Sequence, residues 1–190
     1  MPRNTSSTFH MRARGIFAPM ETLRFAYSQS PIGPLFLAAS PKGLVRLEFK
    51  PRMQRIDPAS ARLEESPSTL APYFKELVEY FSGERCEFTF PLDLRGTDFQ
   101  LACWNALLEI PYGETRTYAG IARAIGHPHA FRAVGMSNNR NPVAVVVPCH
   151  RVIASDGSLC GYGGGLEIKR HLLDLERQHA GTCLPLRMGA

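Results

Sequence analysis

Residues 143–153 read VAVVVPCHRVI, and this stretch limits the fold more than any other. β-Branched valines suit a pleated, packed surface, so residues 145–153 read as a buried strand interrupted at Pro148. The Cys149 thiol and the His150 imidazole are thereby tied to the edge of a core. A thiol in such a position is a small core residue, a metal ligand or a nucleophile. On an extended strand, consecutive side chains point to opposite faces. Cys149 and His150 therefore meet only if the chain bends, which Pro148 favours, or if a water bridges them in a polar pocket. Either arrangement lets the imidazole take the thiol proton.

A partner for that imidazole is readable further on. Residues 165–178, GLEIKRHLLDLERQ, have the period of an amphipathic helix, with Leu166, Ile168 or Lys169, Leu172 and Leu173 on the inward stripe. Glu176 follows Leu172 by four residues and Leu173 by three, so it shares their face. An isolated buried carboxylate is very costly, and His150 is the natural partner. Cys149, His150 and Glu176 then have the layout of an activated thiol triad. The competing arrangement leaves Glu176 frayed into water near the helix end. Between the two segments lies CGYGGG (160–165), whose glycines permit positive φ and close approach to a ligand. Tyr162 offers a flat face and a hydroxyl there. A merely flexible loop is the alternative.

Charge placement points to a partner. The 190-residue chain has a net charge of +5, yet residues 21–96 hold ten basic and ten acidic residues. Between Glu114 and Asp156 there is no acid, but there are Arg116, Arg123, Arg132, Arg140 and Arg151, with His127, His129 and His150. A one-sign segment within a folded region suits a polyanion, most simply nucleic acid, although a solvated arginine face has the same composition. No apolar run approaches the roughly 20 residues of a membrane span. Five cysteines without a CxxC pair argue against a disulfide framework and a zinc ribbon, and for a reducing compartment.

The chain divides into two folded parts. Residues 1–20 read as a disordered leader. Residues 23–29, 34–40 and 44–50 are short apolar runs separated by PIG and PKG turns, the pattern of an antiparallel meander. A polar stretch, 51–67, precedes a helix carrying Leu70, Phe74, Leu77, Val78 and Phe81, closed by Gly83. Residues 21–90 thus form a small α/β support domain with nothing catalytic in evidence, and 91–96 read as a linker. From 97 to 180 the pattern is mostly helical, and 181–190 form a tail. Thr97 caps a helix through Phe99, Cys103, Trp104, Leu107 and Leu108. Thr117 caps a second, Tyr118–Ile125, stopped by Gly126, and a third runs from Ala130 to about Asn138. Two short helices joined by a glycine-containing turn make a helix-turn-helix. On the third helix Ala130, Ala133, Val134 and Ser137 recur with Gly135 beside them. That small face with one long Arg132 fits a minor groove about 6 Å wide, or else packs inward.

PCHRVI (148–153), SDG (155–157), GYGGG (161–165) and LLDLE (172–176) closely resemble the O6-alkylguanine-DNA alkyltransferase family. FQ with Trp104, IPYGETRTY (110–118), IARAIGHPHAFRAVG (121–135) and NRNPVAVVVP (139–148) continue the match, and SPIG (30–33) fits the family's N-terminal domain more loosely. The resemblance implies an α+β fold: a ribonuclease H-like domain, then a helical, winged-helix-like domain carrying the helix-turn-helix. It implies direct-reversal repair, with an alkyl group moved irreversibly from O6-alkylguanine, and O4-alkylthymine, onto Cys149. His150 becomes the water-relayed base and Glu176 its orienting acid. Tyr118 protonates the leaving guanine. Asn141 is the hinge residue. The carbonyls of Cys149 and Val152 take the guanine amine, Tyr162 lines the alkyl pocket, and Gly163 offers its N–H to O6. Arg132 fills the gap left by the extruded nucleotide, with Ala130, Ala133 and Gly135 against duplex DNA in its minor groove.

The same resemblance implies a monomer, with cooperativity on DNA left open, no membrane association, and work in the cytoplasm at the nucleoid or in the nucleus. No metal or organic cofactor is required. Ser40 stands where some relatives have a zinc-binding cysteine. A lesion-binding protein without chemistry is the first rival, and would leave the alkyl group on DNA. A cysteine hydrolase is the second, and would turn over many esters or amides while leaving the arginine segment unexplained. A zinc site at Cys149 and His150 has poor spacing.

Overall fold

The structure, a computed structural model, describes residues 20–49 and 61–181. The leader and tail expected at the termini lie outside the described residues except for Met20 and Gly181. The three apolar runs form the expected meander: β1 (Thr22–Ser28), β2 (Leu35–Ser40) and β3 (Gly43–Phe49) pair antiparallel in sequence order. At Gly43, φ is 151°, and a Cβ would fall 2.4 Å from the Pro91 carbonyl oxygen, so the turn requires glycine. A fourth strand, β4 (Arg62–Glu65), pairs parallel with β1 and gives the order β3-β2-β1-β4. Sequence reading left this strand within a polar stretch. All four of its residues are exposed and only Leu63 is apolar, so no alternation marks it. Helix α1 (Pro67–Phe81) packs against β1 and β2 and buries Leu70, Leu77 and Tyr80.

Residues 91–96 are not a free linker. Leu44 N–H donates to Pro91 O and Asp93 N–H to Leu44 O, both at 2.9 Å, and Leu92 and Leu94 pack on the main core. A second tie joins Leu47 N–H to Pro142 O at 2.9 Å and Ala144 N–H to Leu47 O at 3.1 Å. One apolar cluster therefore runs from Leu37 through Trp104 to Val147 and Leu172. The two halves share a core, which the turn-rich sequence between them conceals.

Helix α2 (Asp98–Leu108) opens with a capping box between Thr97 and Gln100, which satisfies two otherwise orphaned N–H groups. Thr117 accepts from Gly120 N–H to start α3 (Tyr118–Ala124), and α4 (Phe131–Asn139) follows a turn containing Gly126 at φ 78°. These two helices pack on each other and on α2 as the expected helix-turn-helix. Short strands β5 (Arg116–Thr117) and β6 (Val152–Ile153) pair in parallel, which brings the start of α3 beside the segment following Cys149. Helix α5 (Leu166–His179) closes the chain with Lys169, Leu172, Leu173 and Glu176 buried. Leu166, expected on that inward stripe, is instead exposed at the first helical position.

The strand expected over 145–153 is corrected. Val143, Val145, Val146 and Val147 are buried, but the chain turns through them: Val146 N–H donates to Ala144 O, Val147 N–H to Val143 O and Cys149 N–H to Val147 O. Only β6 is extended. Val145 sits at φ 71°, unusual for a β-branched residue and costing about 1–3 kcal/mol, a cost the surrounding core offsets. Disulfide usage also departs from expectation. Cys103, Cys149 and Cys160 are free thiols, but Cys86 is disulfide-bonded. An odd cysteine count excludes complete pairing, not a single bridge.

Candidate active site

The turns before Pro148 aim the Cys149 side chain. Cys149 opens a 3-10 helix, Cys149–Arg151, and its residue is only 6% exposed. Such a helix has three residues per turn, so successive side chains project about 120° apart rather than to opposite faces. The bend that Cys149 and His150 needed is therefore present. Asn141, expected as a hinge, crosses the turn. Its side-chain N–H₂ donates to Val147 O at 2.7 Å and reaches Cys149 Sγ at 3.2 Å, while its Oδ1 accepts from Val143 N–H at 3.0 Å. One amide thus binds both ends of the turn and the thiol.

His150 and Glu176 are fully buried and meet as expected, His150 Nε2 lying 2.8 Å from Glu176 Oε1. Burial is the largest influence on the imidazole and lowers its pKa. The Glu176 charge opposes this, while Arg151 and Lys169 push the same way as burial. The ring is therefore neutral at neutral pH, with Nε2–H donating to Glu176 and the Nδ1 lone pair free to accept. Among the described residues Nδ1 has no protein hydrogen-bond partner. Burial alone would raise the Glu176 carboxyl. The His150 ring, then Arg151, outweigh it and hold the group well below the ordinary carboxylate range.

Arg151 is a correction. Its place in the acid-free segment suggested a polyanion contact, but it is only 7% exposed. Its Nε donates to Glu176 Oε2 at 2.8 Å, Nη2 to Oε1 at 2.9 Å and Nη1 to Ile110 O at 2.6 Å. The segment's exposed arginines are Arg116, Arg123, Arg132 and Arg140. Sequence reading also missed Tyr80 of α1, whose hydroxyl donates to Glu176 Oε1 at 2.6 Å, and the Gly113 N–H, 3.1 Å from Oε2.

A cleft of about 680 Å³ opens over the thiol, lined by Cys149, Asn141, Ala144, Tyr162, Gly163 and Phe49 among others. That volume lies within the roughly 300–1,000 Å³ of small-molecule sites. Tyr162 is buried, with its ring 5.9 Å from Phe49 and edge-on to His150 at 6.5 Å. Tyr118 does not line this cleft. It stands at the start of α3, and its phenol is raised to about 12 by burial first, then by the Cys160 and Cys149 thiols. A hydroxyl kept protonated in this way remains a proton donor. The Val152 carbonyl accepts from the buried Lys169 Nζ at 2.7 Å, and the Cys149 carbonyl accepts from Val152 N–H. A carbonyl has two lone pairs, so each retains one for a ligand amine. Lys169 also donates to Cys160 O at 3.0 Å and so ties the glycine loop to β6.

The small face expected on α4 divides. Val134 and Ser137 point inward, Ala130, Ala133 and Gly135 are half-buried, and Arg132 is exposed. The Arg132 guanidinium stands 5.6 Å from the ring of Phe131, an exposed aromatic that the sequence reading passed over.

Comparison with known proteins bears on both halves. A model described as 6-O-methylguanine DNA methyltransferase, ribonuclease-like domain, matches residues 23–94, and one described as the DNA-binding domain of the same protein matches 98–178. A methylated-DNA–protein-cysteine methyltransferase of Methanosarcina barkeri is 51% identical over 151 residues, covering 80% of this chain and 95% of its own. The Mycobacterium bovis protein of that name is 50% identical over 157 residues, covering 83% and 94%. The crystal structure of Mycobacterium tuberculosis OGT in complex with DNA superposes with a TM-score of 0.76 at 47% identity, covering 83% of this chain and 94% of that one. Both halves match domains of one protein, in order, and the chain belongs to the 6-O-methylguanine DNA methyltransferase family.

Proposed function

We propose that this chain repairs DNA by direct reversal, taking an alkyl group from guanine O6 onto its own Cys149. One observation carries the reading. Cys149 lines an open cleft while the next residue, His150, is locked by Glu176 with its proton on Nε2 and a lone pair on Nδ1. His150 Nδ1 takes the thiol proton through a bridging water. The thiolate attacks the alkyl carbon in line, the S–C bond forms as the C–O bond breaks, and the electron pair leaves with guanine. Tyr118 supplies the ring proton. Thiolate is a strong nucleophile, so deprotonation and positioning account for most of the acceleration required. The product is a thioether with no carbonyl for water to attack, so each molecule acts once. The same displacement extends to O4-alkylthymine.

Duplex DNA is the partner, with α4 in the minor groove, a monomer bound and the alkylated base turned out into the cleft. Four exposed arginines without an intervening acid and the DNA-bound Mycobacterium tuberculosis relative support DNA as the partner; the small face of α4 beside Arg132 is what favours the minor groove. Intact-mass measurement after mixing with an O6-methylguanine duplex is expected to give one methylene-sized gain per chain, on the peptide containing Cys149. An unmodified chain bound to still-methylated DNA would leave only a lesion-binding protein.

Extruding a base costs a few kcal/mol, and Arg132 offsets it by filling the gap. Arg132→Ala is expected to slow repair of duplex substrate by about 10- to 100-fold, the rate equivalent of that energy. Its reaction with free O6-benzylguanine should change by less than about twofold, as for an ordinary surface substitution. Rapid-quench rates on both substrates check this, and equal losses would remove the gap-filling role.

A further inference from the structure

Tyr80 comes from the half of the chain in which the sequence shows no chemistry. It is fully buried in α1, and its hydroxyl lies 2.6 Å from Glu176 Oε1, 96 residues away. We propose that Tyr80 is a positioning residue for alkyl transfer: its hydroxyl shares Oε1 with His150 Nε2–H and so limits how strongly Glu176 holds a proton on the imidazole. The inference rests on the reading of Cys149 as acceptor and His150 as its base.

Five donors converge on the two oxygens of this carboxylate. Oε1 receives Tyr80 Oη at 2.6 Å, His150 Nε2 at 2.8 Å and Arg151 Nη2 at 2.9 Å, while Oε2 receives Arg151 Nε at 2.8 Å and Gly113 N at 3.1 Å. A carboxylate offers about four lone-pair sites, so donors on one oxygen compete. Tyr80 is not needed there merely to fill space. Its ring already packs against Phe81 at 5.4 Å, Phe88 at 5.3 Å and Tyr112 at 5.9 Å. A phenylalanine would keep those contacts and lose only the hydrogen bond. Burial, then Glu176, holds the Tyr80 phenol well above its ordinary value, so it remains a donor over the working pH range.

The direction follows from the groups around His150. Glu176 and Lys169 face it from α5, Arg151 from its own turn, Tyr162 from the glycine loop, and Tyr80 acts through Glu176. Of these, Glu176 alone favours imidazolium. Removing the Tyr80 hydroxyl leaves Oε1 with fewer donors, so its pull on Nε2–H increases. His150 then stays protonated to higher pH, and Nδ1 becomes available to the thiol proton only above that pH.

The test is the pH profile of single-turnover methyl transfer for the full chain and for Tyr80→Phe. The acid limb is expected to move up by about 0.5 pH unit, a modest shift for loss of one hydrogen bond to a neighbouring charge. The rate on the alkaline plateau should stay within about twofold, as the ring packing is kept. A ¹⁵N NMR titration of His150 should move in the same direction. An unmoved acid limb, whether or not the plateau falls, overturns the inference by showing that Tyr80 only packs. Absence of transfer in the unsubstituted chain would instead overturn the reading beneath it.

Discussion

Cys149→Ser is expected to lose alkyl transfer while retaining its grip on duplex DNA. The predicted loss is on the order of 10³-fold or more, the scale on which removing a nucleophile disables other enzymes. A serine hydroxyl is a weak nucleophile at its free pKa, and a thiol is the least weak of such groups. The substitution should disturb little else. Ser fits the same 3-10 turn, Asn141 still donates to Val147 O, and Glu176 keeps all five donors. Fluorescence anisotropy should therefore give an affinity for unmodified duplex DNA, which meets the helix-turn-helix rather than the cleft, within about twofold of the parent chain. Cys103 and Cys160 serve as internal controls, one fully buried and the other half-buried. Transfer at the parent rate, or a methyl group found on Cys160, would take the acceptor role away from Cys149.

How far this site is legible in the sequence depends on the range of the interactions that build it. Cys149, His150 and Glu176 are readable because a thiol beside an imidazole interrupts an apolar run and a carboxylate falls on an apolar helical stripe. Both patterns are local. Arg151 is misread by the same local reasoning, since counting charge along a segment does not reveal which charges are buried. The signal available was the Arg151 position itself, adjacent to His150 in a core-bound run and able to reach the same carboxylate. Tyr80 leaves no such trace: it is an ordinary core aromatic until the fold brings α1 against α5. The conformation of 143–148 is also hidden, because burial of valines is dictated by composition, while turn or strand is decided by where backbone partners stand. Leu47 bonds with Pro142 and Ala144 and leaves the following valines to pair among themselves. Helices fared better, since Thr97, Thr117 and Gly126 mark their ends with capping chemistry that acts over one turn.

Arg151→Met is expected to cost about 3–5 kcal/mol of stability in urea unfolding, the usual loss when one partner of a buried ion pair is removed. The guanidinium makes three hydrogen bonds of 2.6–2.9 Å, two of them to Glu176, and methionine leaves that carboxylate charged and buried with neutral donors alone. Adding Glu176→Gln should recover part of the loss, because the uncompensated charge then disappears. The pH dependence gives an independent check. Glu176 has a folded value well below its ordinary 4.5, so its contribution is fully present above 4.5 and is lost progressively as pH falls from there through the lower folded value. His150 also lies below its ordinary 6.5, so folding favours the neutral ring, and its contribution is present above 6.5 and lost on acidification. Arg151 is one of the groups holding the imidazole down. Without it, the His150 value moves toward that of the unfolded chain, and the decline in stability below pH 6.5 should become shallower in Arg151→Met than in the parent. A loss below about 1 kcal/mol with an unchanged slope would mean that the pair behaves like a surface salt bridge, despite its burial. The expected pairing of a large stability loss with a weaker acid response distinguishes removal of this charge from simple loss of packing, which would lower stability equally at every pH.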